Sequence, residues 1–148
     1  AKVAVLFIDV DDFKFINDRF GHSVGDEVIK YVAGCIKQRV KGSGFAGRFG
    51  GDEFVLCITD PKQIEEIESL SLDLIDELYE GYHSELANVS INVKASIGIA
   101  FYPEHGDDSN KVVAAADEAM YFVKKNGKAN YHIYQPEDSE MEDLQHTL

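Results

Sequence analysis

Four groups of residues in this chain of 148 have the types and spacing to do chemistry. The first is the carboxylate run Asp9-Val10-Asp11-Asp12, which closes the apolar stretch from Val3 to Ile8. Side chains alternate along a strand, so Asp9 and Asp11 share one face and Asp12 takes the other. Ligands in open α/β sheets bind beyond the carboxyl ends of strands, where this run falls; Asp11 or Asp12 would serve equally as a cap for a following helix. The second group is Gly50-Gly51-Asp52-Glu53, two carboxylates on a turn whose glycines permit positive φ and close backbone approach. If that hairpin pairs beside the opening strand, Asp9 and Asp52 converge into a hard-oxygen site suited to Mg²⁺. Such an ion takes few protein carboxylates together with substrate phosphates.

The third group is Asn17 to Asp26. An amide and a carboxylate complement the donors and acceptors on a guanine edge. Asp26 also suits the first turn of a helix, and spacing alone leaves both readings open. The fourth is Lys124, Lys125 and Lys128 near the end of the last helical pattern, where lysines complement the helix dipole or hold a phosphate tail.

These residues need a scaffold. Val3 to Ile8 reads as a central strand buried on both faces. A short helix is expected from Phe13 to about Phe20, stopped by Gly21, and a second from about Gly25 to Val40. Phe45 to Phe49 and Phe54 to Thr59 read as a hairpin around the glycine turn. Asp60 and Pro61 read as N-cap and first residue of a long helix whose apolar stripe runs Ile64, Ile67, Leu70, Leu74, Leu78, Tyr82. Ser90 to Phe101 alternates as one strand, Ser109 caps a helix over Lys111 to Asn126, and Tyr131 to Tyr134 makes a last strand. The fold class is α/β (α+β), a mixed central sheet flanked by helices, as a single domain over 1–135 with an acidic tail or connector at 136–148.

Charge limits the partners. The chain carries 27 acidic and 14 basic residues, net −13, which argues against nucleic-acid or anionic-membrane binding through a basic face. No apolar run approaches the roughly 18 residues a membrane helix needs, and no signal peptide opens the chain. Cys35 and Cys57 lack disulfide or metal spacing and read as buried free thiols of a reducing compartment. The chain opens with Ala1-Lys2 and runs almost at once into a strand, as expected of a domain excised from a longer protein.

Taken together, the motifs resemble the GGDEF family of diguanylate cyclases. Gly50-Gly51-Asp52-Glu53-Phe54 stands intact after Arg48-Phe49. So does Phe7-Ile8-Asp9-Val10-Asp11 with Phe13-Lys14, Asn17-Asp18, Gly21-His22 and Gly25-Asp26, and later Ala95 to Ala100 and Ala116 to Tyr121. The resemblance covers about residues 2–135. It implies a palm-like, nucleotidyl-cyclase-like sheet and condensation of two GTP into cyclic di-GMP with loss of pyrophosphate, between two facing domains. It implies Mg²⁺ (or Mn²⁺) on Asp9, the Val10 carbonyl, Asp52 and Glu53, with Glu53 or Asp52 assisting removal of the 3′-hydroxyl proton. It further implies guanine recognition by Asn17 and Asp26, phosphate contact at Phe13 and Lys14, and β- and γ-phosphate binding by Lys124 and Lys128. A cytoplasmic location follows from the need for GTP, with membrane tethering of the parent left open.

Two departures bear on this. Lys41-Gly42-Ser43-Gly44 stands where many members carry an inhibitory Arg-x-x-Asp product site, so no feedback inhibition through that site is expected. The helix and Asp-x-Leu-Thr-Gly-Leu-x-Asn-Arg segment usual before the first strand are absent, and weaker folding, nucleotide binding or dimerisation is expected. The segment from Pro136 resembles the connector that often precedes an EAL-type phosphodiesterase domain, so an alternative is a catalytically silent GTP-binding regulatory module of a larger protein.

Overall fold

The computed structural model describes residues 2–40 and 42–139. Strand β1 (Val3–Val10) lies between two antiparallel neighbours, β3 (Glu53–Thr59) and β6 (Ala95–Tyr102). Strand β2 (Phe45–Arg48) pairs with the outer side of β3, and β7 (Tyr131–Ile133) runs parallel to β6, completing a mixed sheet in the order β2-β3-β1-β6-β7. A strand with neighbours on both sides and layers on both faces has no wet edge, which is why Ala4 to Ile8 are all buried and apolar.

Alternation along β1 assigns its two faces. Ala4, Leu6, Ile8 and Val10 pack with helices α2 (His22–Lys37) and α3 (Ile64–Glu80), through Val28, Val32, Ile67 and Leu74. Val5 and Phe7 pack instead against α4 (Ser109–Lys125), through Val112, Ala116 and Met120. Helix α1 (Phe13–Phe20) follows β1 directly, packs against α2 and buries Ile16. On the α4 face the β2–β3 side is an open apolar groove of about 490 Å³ lined by Val3, Val5, Phe45, Val55 and Val112. Gly98 of β6 lets α4 sit directly on the strand: a Cβ there would stand 1.9 Å from the Ala116 carbonyl oxygen and 2.2 Å from the Met120 nitrogen.

Several boundaries differ from expectation. The opening strand runs to Val10, so Asp9 is a strand residue. Helix α2 begins at His22, not Gly25, and ends at Lys37, which puts Asp26 beyond the first turn. Asp60 does not cap α3: it takes a left-handed φ of 48°. Its amide donates to the Lys2 carbonyl (2.7 Å) and its carboxylate accepts from the Lys2 amide (3.3 Å), so it is held by the start of β1. Helix α3 begins three residues after Pro61, at Ile64, which is exposed. Tyr82 lies beyond the helix in β4 (Tyr82–Ser84), a short strand paired with β5 (Val89–Ile91).

The stretch Ser90 to Phe101 is two strands. Its ladder breaks because the Val93 amide donates to the Leu78 carbonyl (3.1 Å) and the Lys94 carbonyl accepts from the Asp11 amide (2.8 Å). Asp108 rather than Ser109 caps α4, its carboxylate accepting from the Lys111 amide at 2.9 Å. The cysteines are buried and free, and burial pushes both thiols up. No helix among the described residues is long and apolar enough to cross a membrane. Residues 136–139 are helical; Lys41, which opens the departed Arg-x-x-Asp position, and the tail from 140 lie outside the described residues.

Candidate functional site

The carboxylates meet at one end of the sheet because β1 and β3 are neighbours. Register sets Asp9 opposite Glu53 on one side and Ser96 on the other, and directly opposed residues share a face. The Val10 amide donates to the Asp52 carbonyl (3.1 Å), holding the glycine turn against the strand end. Arg48 braces the turn from β2, its Nε donating to the carbonyls of Gly50 (3.1 Å) and Gly51 (3.0 Å). The amides of Phe49 and Gly50 both reach the Glu53 carbonyl, at 2.7 and 3.2 Å. The Glu53 side chain folds over Gly50, where a Cβ would stand 2.8 Å from Oε1.

Asp9 is electrostatically incomplete. Its Oδ1 is buried and lacks a hydrogen-bond partner. Burial pushes its carboxyl from the ordinary 3.8 up to about 7; Lys124 opposes the rise and the nearby Asp52 carboxylate adds to it. An orphaned buried oxygen beside a second carboxylate fits a hard divalent cation, whose charge would reverse that balance. Among the described residues, no group of three or more His, Cys, Asp or Glu side chains is arranged to hold a metal alone.

The lysines reach the same place from the other end of the chain. Lys124 Nζ lies 2.5 Å from Asp11 Oδ1 and 3.1 Å from Asp9 Oδ2. Burial works against its charge, but the Asp11 hydrogen bond and the two carboxylates outweigh it and raise its pKa. Lys128 Nζ sits 2.9 Å from Asp12 Oδ1 and holds that exposed carboxyl below its usual range.

Neither aspartate caps α1 with its side chain. Asp12 occupies the N-cap position in a left-handed conformation (φ 56°) with its carboxylate on Lys128, and makes no side-chain cap bond. Its carbonyl takes the amides of Phe15 and Ile16, so the amides of Phe13 and Lys14 face no capping carboxylate. Phe13 is half-buried and Lys14 exposed.

Asn17 lies against Gly25 at the α1–α2 junction, one residue before Asp26. A Cβ on Gly25 would stand 1.8 Å from Asn17 Oδ1, so glycine is what lets the amide lie against α2 beside the exposed Asp26. Two residues at the site stood out less in the sequence. Asp11, 3% exposed, is a hub, and Ser96 of β6 is one of its donors at 2.7 Å. The signal for Asp11 was its shared face with Asp9; its partners were invisible without the fold.

The family model for the diguanylate cyclase GGDEF domain matches residues 1–130. The chain belongs to the GGDEF family. It is 35% identical over 134 residues to the bifunctional diguanylate cyclase/cyclic di-GMP phosphodiesterase MucR of Pseudomonas aeruginosa, covering 90% of this chain and 19% of MucR. It is 32% identical over 136 residues to the cyclic di-GMP phosphodiesterase PdeR of Escherichia coli, covering 92% of this chain and 20% of PdeR. This GGDEF domain therefore spans about a fifth of those curated relatives. Among solved structures, the isolated GGDEF domain of TpbB (YfiN) from P. aeruginosa superposes with a TM-score of 0.90 at 31% identity, covering 96% of this chain and 82% of that one. The palm-like mixed sheet expected from the motifs is thus the fold of this GGDEF domain.

Proposed function

We propose that this GGDEF domain, spanning residues 1–135 with an acidic connector from 136, is a diguanylate cyclase domain that condenses two GTP into cyclic di-GMP with release of two pyrophosphates. The observation that carries the reading is the incomplete Asp9 carboxylate, orphaned and pushed up to about 7 beside Asp52, at the end of an intact family signature. Asp9, Asp52, Glu53 and the Val10 carbonyl are the groups that would hold Mg²⁺ (or Mn²⁺). Bound there, the ion would offset phosphate charge and stabilise the leaving pyrophosphate.

This chain's residues do the rest. Asn17 and Asp26 read guanine, and the uncapped Phe13 and Lys14 amides with Lys124 and Lys128 receive the triphosphate. Helix α1 spaces the two ends, since Phe13 and Asn17 are separated by roughly 6 Å of helical rise. Glu53 or Asp52 accepts the proton of the 3′-hydroxyl as its oxygen bonds to the α-phosphorus of the GTP held by a second copy, and the α–β phosphoanhydride bond breaks. Two copies are needed, each presenting one GTP. In the −13 chain the site's carboxylates would repel a nucleotide unless a bound cation offset their charge. The setting is the cytoplasm, where GTP is available, within a longer parent protein.

Incubation with GTP and Mg²⁺ across a range of protein concentrations, followed by chromatography, tests this. Cyclic di-GMP is expected at a specific rate that rises with protein concentration, and Asp52→Asn removes it. Folded protein that makes none at any concentration rejects the cyclase. Similarity over most of the chain to PdeR, a phosphodiesterase by name, favours a second reading, a GTP-binding regulatory module without turnover. That module binds GTP over ATP, yields no product, and in Asp52→Asn loses at most metal-assisted binding.

A further inference from the structure

We propose that Asp11 is a positioning residue for the triphosphate-binding lysines. It touches no nucleotide itself; it fixes Lys124 and the turn carrying Lys128 against the end of β1. The inference rests on the nucleotide reading above, since it takes those lysines as phosphate ligands.

Three elements converge on this one carboxylate, whose side chain is fully buried. Oδ1 accepts from Ser96 Oγ of β6 (2.7 Å) and from Lys124 Nζ of α4 (2.5 Å), and Oδ2 accepts from the Ala129 amide (3.0 Å). Its own amide is held by the Lys94 carbonyl at 2.8 Å, so the acceptor cannot follow its donors if they move. Lys128 and Ala129 have consecutive left-handed φ values of 62° and 51°. That conformation is unfavourable for side-chain-bearing residues and persists only where bonds over-determine it. Here they are Lys128 amide to Val123 carbonyl (2.9 Å) and Ala129 amide to Asp11. Lys124 also touches Asp9, but the function reading gives Asp9 to the cation. Of the two carboxylates that touch Lys124, Asp11 is therefore the one left to position the lysine.

The test compares binding of α,β-methylene GTP, which cannot lose pyrophosphate, with binding of GMP, which lacks the β- and γ-phosphates. In calorimetry, Asp11→Asn is expected to weaken the GTP analogue by about tenfold or more, the scale of a lost charge-assisted hydrogen bond. GMP affinity is expected to change by less than about twofold. In a Lys124→Met background, Asp11→Asn is expected to cost less of the preference for the analogue than it does in wild type, what remains being the Lys128 turn held through the Ala129 amide. Equal loss for both ligands, with or without a lower unfolding midpoint, overturns the inference, because a merely structural carboxylate does not sort ligands by phosphate number. Should Asp11→Asn fail to fold, Ser96→Ala removes one donor and keeps the charge. It is expected to weaken the analogue about threefold and spare GMP, and equal loss or no loss overturns the inference. Wild-type protein that binds neither ligand overturns the nucleotide reading itself, a result distinct from equal loss in the variants.

Discussion

Gly98→Ala asks how closely the position of α4 depends on β6. The added Cβ would stand 1.9 Å from the Ala116 carbonyl oxygen, 2.2 Å from the Met120 nitrogen and 2.9 Å from the Ala119 carbonyl carbon, where ordinary contact begins at 3.4 Å. All three are backbone atoms of α4, so no side chain can rotate out of the way, and the helix must lift by roughly 1–1.5 Å. Overpacking of this kind costs about 1–3 kcal/mol, and backbone on both sides puts the expectation near 3 kcal/mol. For a domain of this size that lowers the melting midpoint by roughly 6–12 °C. The lift also carries Lys124 away from Asp11 and Asp9, to which it now stands at 2.5 and 3.1 Å. Misplacement by about 1 Å costs on the order of 100-fold in a positioned reaction, so cyclic di-GMP formation should fall by that factor beyond the fraction unfolded. Urea unfolding followed by circular dichroism reads the first effect and product chromatography the second. Gly34→Ala is the control: exposed on α2 with nothing within 4 Å of the new Cβ, it should stabilise by up to about 1 kcal/mol. A Gly98→Ala protein within about 0.5 kcal/mol of wild type would refute the close-packing argument.

Asp9→Asn gives a pH signature. Because the folded carboxyl titrates near 7 against an ordinary 3.8, the folded state binds more protons between those values, and its stability declines as pH rises through them. In chelator, the variant should therefore gain stability relative to wild type between about pH 4 and pH 7, and added Mg²⁺ should raise the wild-type midpoint more than the variant's. A thermal-unfolding difference that shrinks with rising pH would count against the reading of Asp9. Asp108→Ala removes the acceptor of the Lys111 amide and should cost about 1 kcal/mol of stability, measured by denaturant midpoint. An unchanged midpoint would show that the cap contributes nothing.

Where the sequence was informative, local periodicity carried the signal. The unbroken apolar run of β1 identified a central strand, and alternation put Asp9 and Asp11 on one face, where both now meet Lys124. The glycine turn was legible from composition alone, and so was α1 with its stop at Gly21. Where reading failed, a tertiary bond had overridden a local preference. Asp60-Pro61 has the composition of a helix start, but Asp60 is tied to Lys2, fifty-eight residues earlier, so α3 starts later. Ser90 to Phe101 keeps its alternation, with Ile91, Val93, Ala95, Ile97, Ile99 and Phe101 all in one core, although the ladder is interrupted by bonds to Leu78 and Asp11. Side-chain facing survived because burial imposes it, while hydrogen-bond partners went to whichever element lay nearest.

The sequence by itself determined the types of the elements, the faces of the strands and the chemical kinds available: hard carboxylates, amides and a few lysines in a chain of net −13. Those are consequences of short-range geometry, repeating every two or 3.6 residues. Only the tertiary structure decided that β1 lies between β3 and β6, bringing Asp9 opposite Glu53 and Ser96. It alone decided that Lys124 and Lys128 come to the carboxylates of the β1 end rather than to the end of their own helix. Those pairings join residues more than a hundred positions apart, and their energy depends on burial and neighbouring charge that exist only once the sheet is assembled. The same burial leaves Asp9 Oδ1 without a partner, the feature on which the proposed chemistry rests.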